Sequence, residues 1–102
     1  MKKNITQYNL VPVNYQLSGW YDIERLCNGF TVTNIGNDPV LVNDQIFYPG
    51  IPGTSLGDSR SFGGNEGEVY VGRLKVAFAG NFNNPEIEVV QKIFVGTQII
   101  DI

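Results

Sequence analysis

The chain has no histidine among its 102 residues. This removes the usual general base, every Ser-His or Cys-His nucleophile pair, and the imidazole ligands of zinc and cupin-type sites. The groups left for chemistry are carboxylates, one thiol and a set of aromatic rings. Ten carboxylates are present (Asp22, Glu24, Asp38, Asp44, Asp58, Glu66, Glu68, Glu86, Glu88 and Asp101). A glycosidase needs only two of them facing each other across a cleft. Most of these ten, however, fall in turns or on strand faces expected to meet solvent, and a domain this small has little room for a deep cleft.

A calcium loop would draw oxygen ligands from Asp58, Asn65 and Glu66, but their spacing lacks the Asp-x-Asp-x-Asp pattern of such loops. The run Gly63-Gly64-Asn65-Glu66-Gly67 is not followed by Lys-Ser/Thr, so it reads as backbone freedom at a sharp turn and not as a phosphate cradle. Cys27 is the only cysteine. It therefore has no partner for an internal disulfide and is expected to act as a small buried hydrophobe. The expectation is a non-enzymatic protein with no metal and no cofactor. Trp20, Tyr21 and Tyr48 are the residues that would form an aromatic platform for a sugar ring, although core packing or a protein interface uses the same residue types.

The elements that must position these groups are β-strands. Residues 4–18 alternate loosely, with Pro12 interrupting, which predicts an edge strand or an extended arm. Residues 18–29 carry acidic residues early and Arg25 later and end on Asn-Gly, which fits a short helical turn; Trp20 and Tyr21 fit a strand equally well. From Phe30 the pattern is a meander. A Thr/Val strand reaches Ile35, Gly36-Asn37-Asp38-Pro39 makes a turn, and Val40-Leu41-Val42 is followed by Asn43-Asp44, a two-residue connection suited to positive φ.

Residues 45–48 form another strand, and a glycine-rich crossover then runs to residue 67. Strands are expected at residues 68–71, at residues 73–79 with Leu74, Val76 and Phe78 buried, and at residues 86–95 with Ile87, Val89, Ile93 and Val95 on one face. Phe82 sits in the polar turn between the last two. The apolar tail, residues 96–102, is expected to dock on its own sheet or on a neighbour. Seven or eight short strands punctuated by turns in about a hundred residues predict an all-β, single-domain β-sandwich of jelly-roll type. Residues 1–28 are expected to form an N-terminal arm or edge strand, and residues 29–102 the sandwich.

Composition narrows the partners. The net charge is −3, and the seven basic residues (Lys2, Lys3, Arg25, Arg60, Arg73, Lys75 and Lys92) are scattered. No basic stripe exists for nucleic acid, and no apolar run is long enough for a signal or membrane segment. Charged residues make up 17% of the chain, below the roughly 25% usual in soluble domains. Neutral surface of this kind favours contact with other chains.

From Phe30 onward the sequence resembles the small β-sandwich virion proteins of tailed bacteriophages, in particular the capsid-accessory and head-fibre proteins of crAss-like and related gut phages. The resemblance rests on FTVTNIGNDPVLVNDQIFYPG, SFGGNEGEVYVG, LKVAF and EIEVVQKIF, in that order, and covers about residues 29 to 95. The chain departs from the pattern in its longer loop, residues 51–60, and its first 28 residues lie outside the match. The resemblance implies a non-enzymatic decoration or head-fibre protein, located on the virion after assembly in the host cytoplasm. Such a protein self-associates, with a homotrimer preferred over a dimer, and docks on capsid proteins or other head-fibre proteins. A tail or neck component and a carbohydrate-binding adhesion module are the alternatives.

The residues expected at an interface are Leu10, Pro12, Val13, Tyr15, Trp20 and Tyr21. Ile51, Pro52, Asp58 and Arg60 are expected in an exposed loop. Removing residues 1–18 is expected to abolish attachment and leave the sandwich folded.

Overall fold

The computed structural model describes residues 2–51, 56–65, 67–79 and 84–101. Among them are eight strands, β1 (Lys2–Tyr15), β2 (Gly19–Asp22), β3 (Cys27–Asn34), β4 (Val40–Val42), β5 (Gln45–Phe47), β6 (Ser59–Gly63), β7 (Arg73–Phe78) and β8 (Ile87–Asp101), and no helix. Four antiparallel pairs nest inside one another: β1 with β8, β2 with β7, β3 with β6, and β4 with β5. The chain is thus one long hairpin whose tip is Asn43-Asp44, where both residues take positive φ (50° and 65°), as a tight two-residue turn requires.

Rolling that hairpin up brings β8 against β3 and β7 against β4. The result is two four-stranded sheets, β1-β8-β3-β6 and β2-β7-β4-β5. This is the jelly-roll sandwich expected from the sequence.

Between the sheets lies one core. The first sheet contributes Cys27, Phe30, Val32, Ile87 and Val89, and the second contributes Val40, Val42, Phe47, Leu74 and Val76, all buried. Period-two alternation puts these residues on the inner faces, as the sequence predicts for Leu74 and Val76, with Phe78 packed beside them. Tyr15 and Tyr21 close one side of the sandwich, their rings stacked 3.8 Å apart. On the other side the Arg60 guanidinium lies over the Phe47 ring at 4.5 Å and donates to the Ile46 carbonyl, joining β6 of one sheet to β5 of the other.

Several sequence expectations are corrected. Residues 18–29 hold no helical turn; β2 carries Trp20 and Asp22 outward and Tyr21 inward, the alternation of a strand. Residues 68–71 are not a strand. The Tyr70 amide donates to the Cys27 carbonyl and its ring meets Phe30 edge-on, so the segment is pinned to β3 without joining its ladder. Instead the strand is β6, inside what the sequence presents as a glycine-rich crossover. Besides Arg60, which reaches β5, its side chains find partners on β3: Ser59 with Thr33, Ser61 with Thr31, and Phe62 stacked on Phe30.

The first 28 residues take the edge-strand alternative of the expectation. β1 pairs with β8 along its whole length, β2 is an edge of the second sheet, and the expected boundary at residue 28 falls inside β3. Deleting residues 1–18 would therefore remove Tyr15 from the core and an edge strand from the first sheet. Pro12 is tolerated because β1 is an edge strand with one side unpaired.

β3 flanks β8 only as far as Ile93. Beyond that point residues 96–101 of β8 pair solely with residues 2–7 of β1, after a bulge in the register at Gln7/Tyr8. A two-stranded ribbon therefore projects from the sandwich, and the molecule measures 57 × 30 × 17 Å. The apolar tail does dock on its own sheet, as this extension of β8.

Candidate functional site

Each carboxylate whose side-chain contacts are resolved is tied to a local structural task. Asp22 pairs with Arg73 at 3.0 Å and Asp44 with Lys75 at 3.7 Å, both on the outer side of the second sheet. Glu86 accepts from the Asn14 and Gln16 amides, and Glu68 accepts from Asn65. Among the described residues no three of Cys, Asp and Glu gather as a metal-binding group. Of the residues that a calcium loop would have drawn on, Asp58 binds the Tyr48 amide and Glu66 lies outside the described residues, as does Phe82 of the polar turn. The Cys27 thiol is fully buried and donates to the Gly29 carbonyl. Burial pushes its pKa up, only partly offset by backbone hydrogen bonds, so it stays a thiol at neutral pH and not a nucleophile. Burial likewise raises Tyr15, with Tyr21 and Glu24 adding to the shift.

The residues expected at an interface occupy three different places. Leu10 and Pro12 lie on the outer face of the first sheet, where Leu10 is 70% exposed. Tyr15 and Tyr21 pack against the core, and half-buried Val13 sits opposite buried Val89 on the inner face. Trp20 is 63% exposed on the outer face of the second sheet, with the Lys75 ammonium 5.7 Å from its ring centroid. The sugar platform is not assembled either. Trp20 is on β2 and Tyr48 follows β5, the opposite edges of the second sheet, while Tyr21 faces inward.

The expected loop residues are similarly divided. Ile51 is exposed and Pro52 lies outside the described residues. Asp58 clamps the loop: its carboxylate accepts from the Tyr48 amide at 2.9 Å, and its backbone bridges Tyr48 and Asn34. Gly57 beside it has no room for a side chain, because a Cβ there would stand 2.2 Å from the Asn34 carbonyl oxygen. Arg60 belongs to β6 and closes the sandwich edge as described above. Asp58→Ala is expected to cost about 1 kcal/mol in urea denaturation. Asp58→Asn, which keeps an acceptor oxygen, should stay within about half of that loss. Equal losses in the two variants would mean that the clamp is not this hydrogen bond.

What the surface does offer is neutral and apolar contact area. On the second sheet Leu41 and Ile46, both about 40% exposed, line a shallow cavity of about 200 Å³ with Pro39, Ala77 and Phe78. On the first sheet a groove of about 260 Å³ runs past Leu10, Thr31, Ser61, Val90 and Lys92. The ribbon adds Ile5 and Ile99, and Val95 lies at its base, all exposed.

No family model, curated protein or solved structure matches the chain.

Sequence reasoning did not single out the ribbon or the polar residues that enter the core. Gln91 is buried on β8 and accepts from the Glu24 amide, and Asn34 is buried at the end of β3. The alternation Ile87, Val89, Gln91, Ile93 carried the signal for Gln91, since parity places it on the inner face whatever its polarity.

Proposed function

We propose that this protein is a non-enzymatic structural component of a phage virion, an accessory or head-fibre type protein that self-associates, as a trimer or a dimer, and docks on capsid subunits. The observation that carries the reading is the ribbon of residues 2–7 and 96–101. A two-stranded ribbon is at best marginally stable alone in water, yet this one exposes Ile5 and Ile99, with exposed Val95 at its base. Among the described residues, no strand neighbours the outer edge of β1 along its fourteen residues. Such edges are normally short, charged or covered. A neighbouring chain is the natural cover for both, and repeated copies would turn modest contacts into large avidity. The fold agrees at the level of analogy, because jelly rolls serve viral capsid, lectin and cupin proteins alike. Cupin chemistry depends on histidines that this sequence lacks, and the lectin reading is weakened by the dispersal of Trp20, Tyr21 and Tyr48.

The test is on particles. The chain is expected in purified virions by mass spectrometry, with density on the head by electron microscopy. The double variant Ile5→Asp and Ile99→Asp is expected to keep its fold, because β3 does not flank the ribbon, and to lose at least about tenfold in particle occupancy. Absence of the wild-type chain from particles overturns the virion reading. Unchanged occupancy of the double variant overturns the ribbon as the docking element.

A further inference from the structure

We infer that the outer face of the first sheet is a self-complementary contact between two copies of this chain, related by a two-fold axis that lies above the sheet, parallel to it and perpendicular to β8. The inference rests on the self-association proposed above and specifies its surface, its symmetry and its partner.

The face is built by strand parity. Ile87, Val89 and Gln91 are buried inward, so Glu88, Val90 and Lys92 of β8 point outward. Pairing places Pro12 and Thr31 on either side of Val90, Leu10 beside Lys92, and Asn14 and Thr33 on either side of Glu88. On β6, Ser61 and Ser59 extend the Thr31 and Thr33 rows through hydroxyl hydrogen bonds of 2.8 Å. The middle of the face, Val90 with Pro12, Thr31 and Ser61, is therefore neutral and partly apolar, and Leu10, 70% exposed, extends it toward Lys92.

Charge is segregated toward the two ends. One end holds Glu88, with Glu86 beyond it. The other holds Lys92, whose ammonium lies 4.4 Å from the Tyr8 ring centroid, and Lys3 lines the same cavity as Lys92 and Tyr8. Among the described residues neither Lys92 nor Glu88 is in an ion pair. Glu88 and Lys92 are four residues apart, about 13 Å along an extended strand.

A two-fold axis passing over Val90 and perpendicular to the strands reverses strand direction between the copies. It sets Val90 on Val90 of the second copy and brings Lys92 of each copy onto Glu88 of the other, making two equivalent ion pairs around an apolar centre. An axis running along the strands would instead place both lysines at one end and both glutamates at the other. The charge pattern thus selects the antiparallel arrangement, and of the two expected oligomers it selects the dimer. Four strands about 4.8 Å apart and about seven residues long give a footprint on the order of 400 Å² per copy. That is half of the roughly 800 Å² per partner in a stable interface, so the dimer is expected to be weak and concentration-dependent.

The experiment is sedimentation equilibrium of the full chain at low salt for the wild type, Lys92→Glu, Glu88→Lys and the double reversal, with circular dichroism as the folding check. Both side chains are only partly buried on an outer face, so the variants are expected to fold. Each single reversal should weaken dimerisation at least about tenfold, and the double reversal should restore it to within about threefold of wild type. Added salt should weaken the wild-type dimer. A wild-type chain that stays monomeric overturns this contact and the self-association together. An oligomer unmoved by either reversal, or a double reversal without rescue, overturns this contact alone.

Discussion

Phe47→Ala is expected to lower the unfolding free energy by about 3–5 kcal/mol, the loss seen when a large buried aromatic is truncated in a core that only partly collapses. Phe47 is fully buried although it sits on β5, a three-residue edge strand. Its ring fills the core from the second sheet, and the Arg60 guanidinium from the first sheet covers it at 4.5 Å. Removing the ring therefore opens a cavity and also takes away the surface on which Arg60 rests. Against a total stability of about 5–15 kcal/mol for a domain, this is a large fraction. It corresponds to a fall in Tm of at least about 12 °C for a chain of this size. Urea denaturation of wild type and variant measures it directly. A loss below about 1.5 kcal/mol would mean that β5 is not locked into the core as described.

The second large effect is expected at Asn34, which is 1% exposed at the end of β3. Its amide nitrogen donates to the Asp38 carbonyl at 2.9 Å and to the Phe47 carbonyl at 3.1 Å, and its oxygen accepts from the Gly36 amide at 3.1 Å. One side chain thus fastens the turn after β3 and the end of β5. Asn34→Leu keeps volume but removes these three side-chain hydrogen bonds, a net loss of about 0.5–1.5 kcal/mol each. The Gly36 amide retains the Glu86 carbonyl at 3.0 Å, so that loss is smaller. A combined destabilisation of about 2–4 kcal/mol is expected for Asn34→Leu, and at least as much for Asn34→Ala, which adds a cavity. If Asn34→Leu is as stable as wild type while Asn34→Ala is not, the residue acts by filling space and not by hydrogen bonding.

Much of this arrangement was legible beforehand, because it is written in local chemistry. Asn43-Asp44 marks the hairpin tip, since Asn and Asp tolerate the positive φ of a tight turn. The alternation in residues 73–78 marks β7, since period two sorts inner from outer face. β6 was hidden because Ser59, Arg60, Ser61 and Phe62 carry no apolar alternation strong enough to declare a strand; hydroxyl pairs and a ring on β3 make it one. The candidate surfaces were less legible still. Leu10, Tyr15 and Trp20 look alike as exposed or buried aromatics and aliphatics along a sequence, and only their strand parity within two particular sheets sends them to an outer face, the core and the opposite outer face.

The sequence alone determined the all-β class, the strands flanking the central turn, the buried faces of β7 and of the first half of β8, and the lack of histidine-based chemistry. These follow from residue type, period two and turn geometry, which act over a few neighbours. Tertiary structure decided how far the ends of the chain pair. Paired residues of 2–7 and 96–101 are 89 to 99 positions apart in the sequence, and their ribbon exists because rolling the hairpin delivers β1 to β8. It also decided that Glu88 and Lys92 share one outer face with Leu10 and Pro12, a juxtaposition fixed by cross-strand register between elements whose separation no local pattern records.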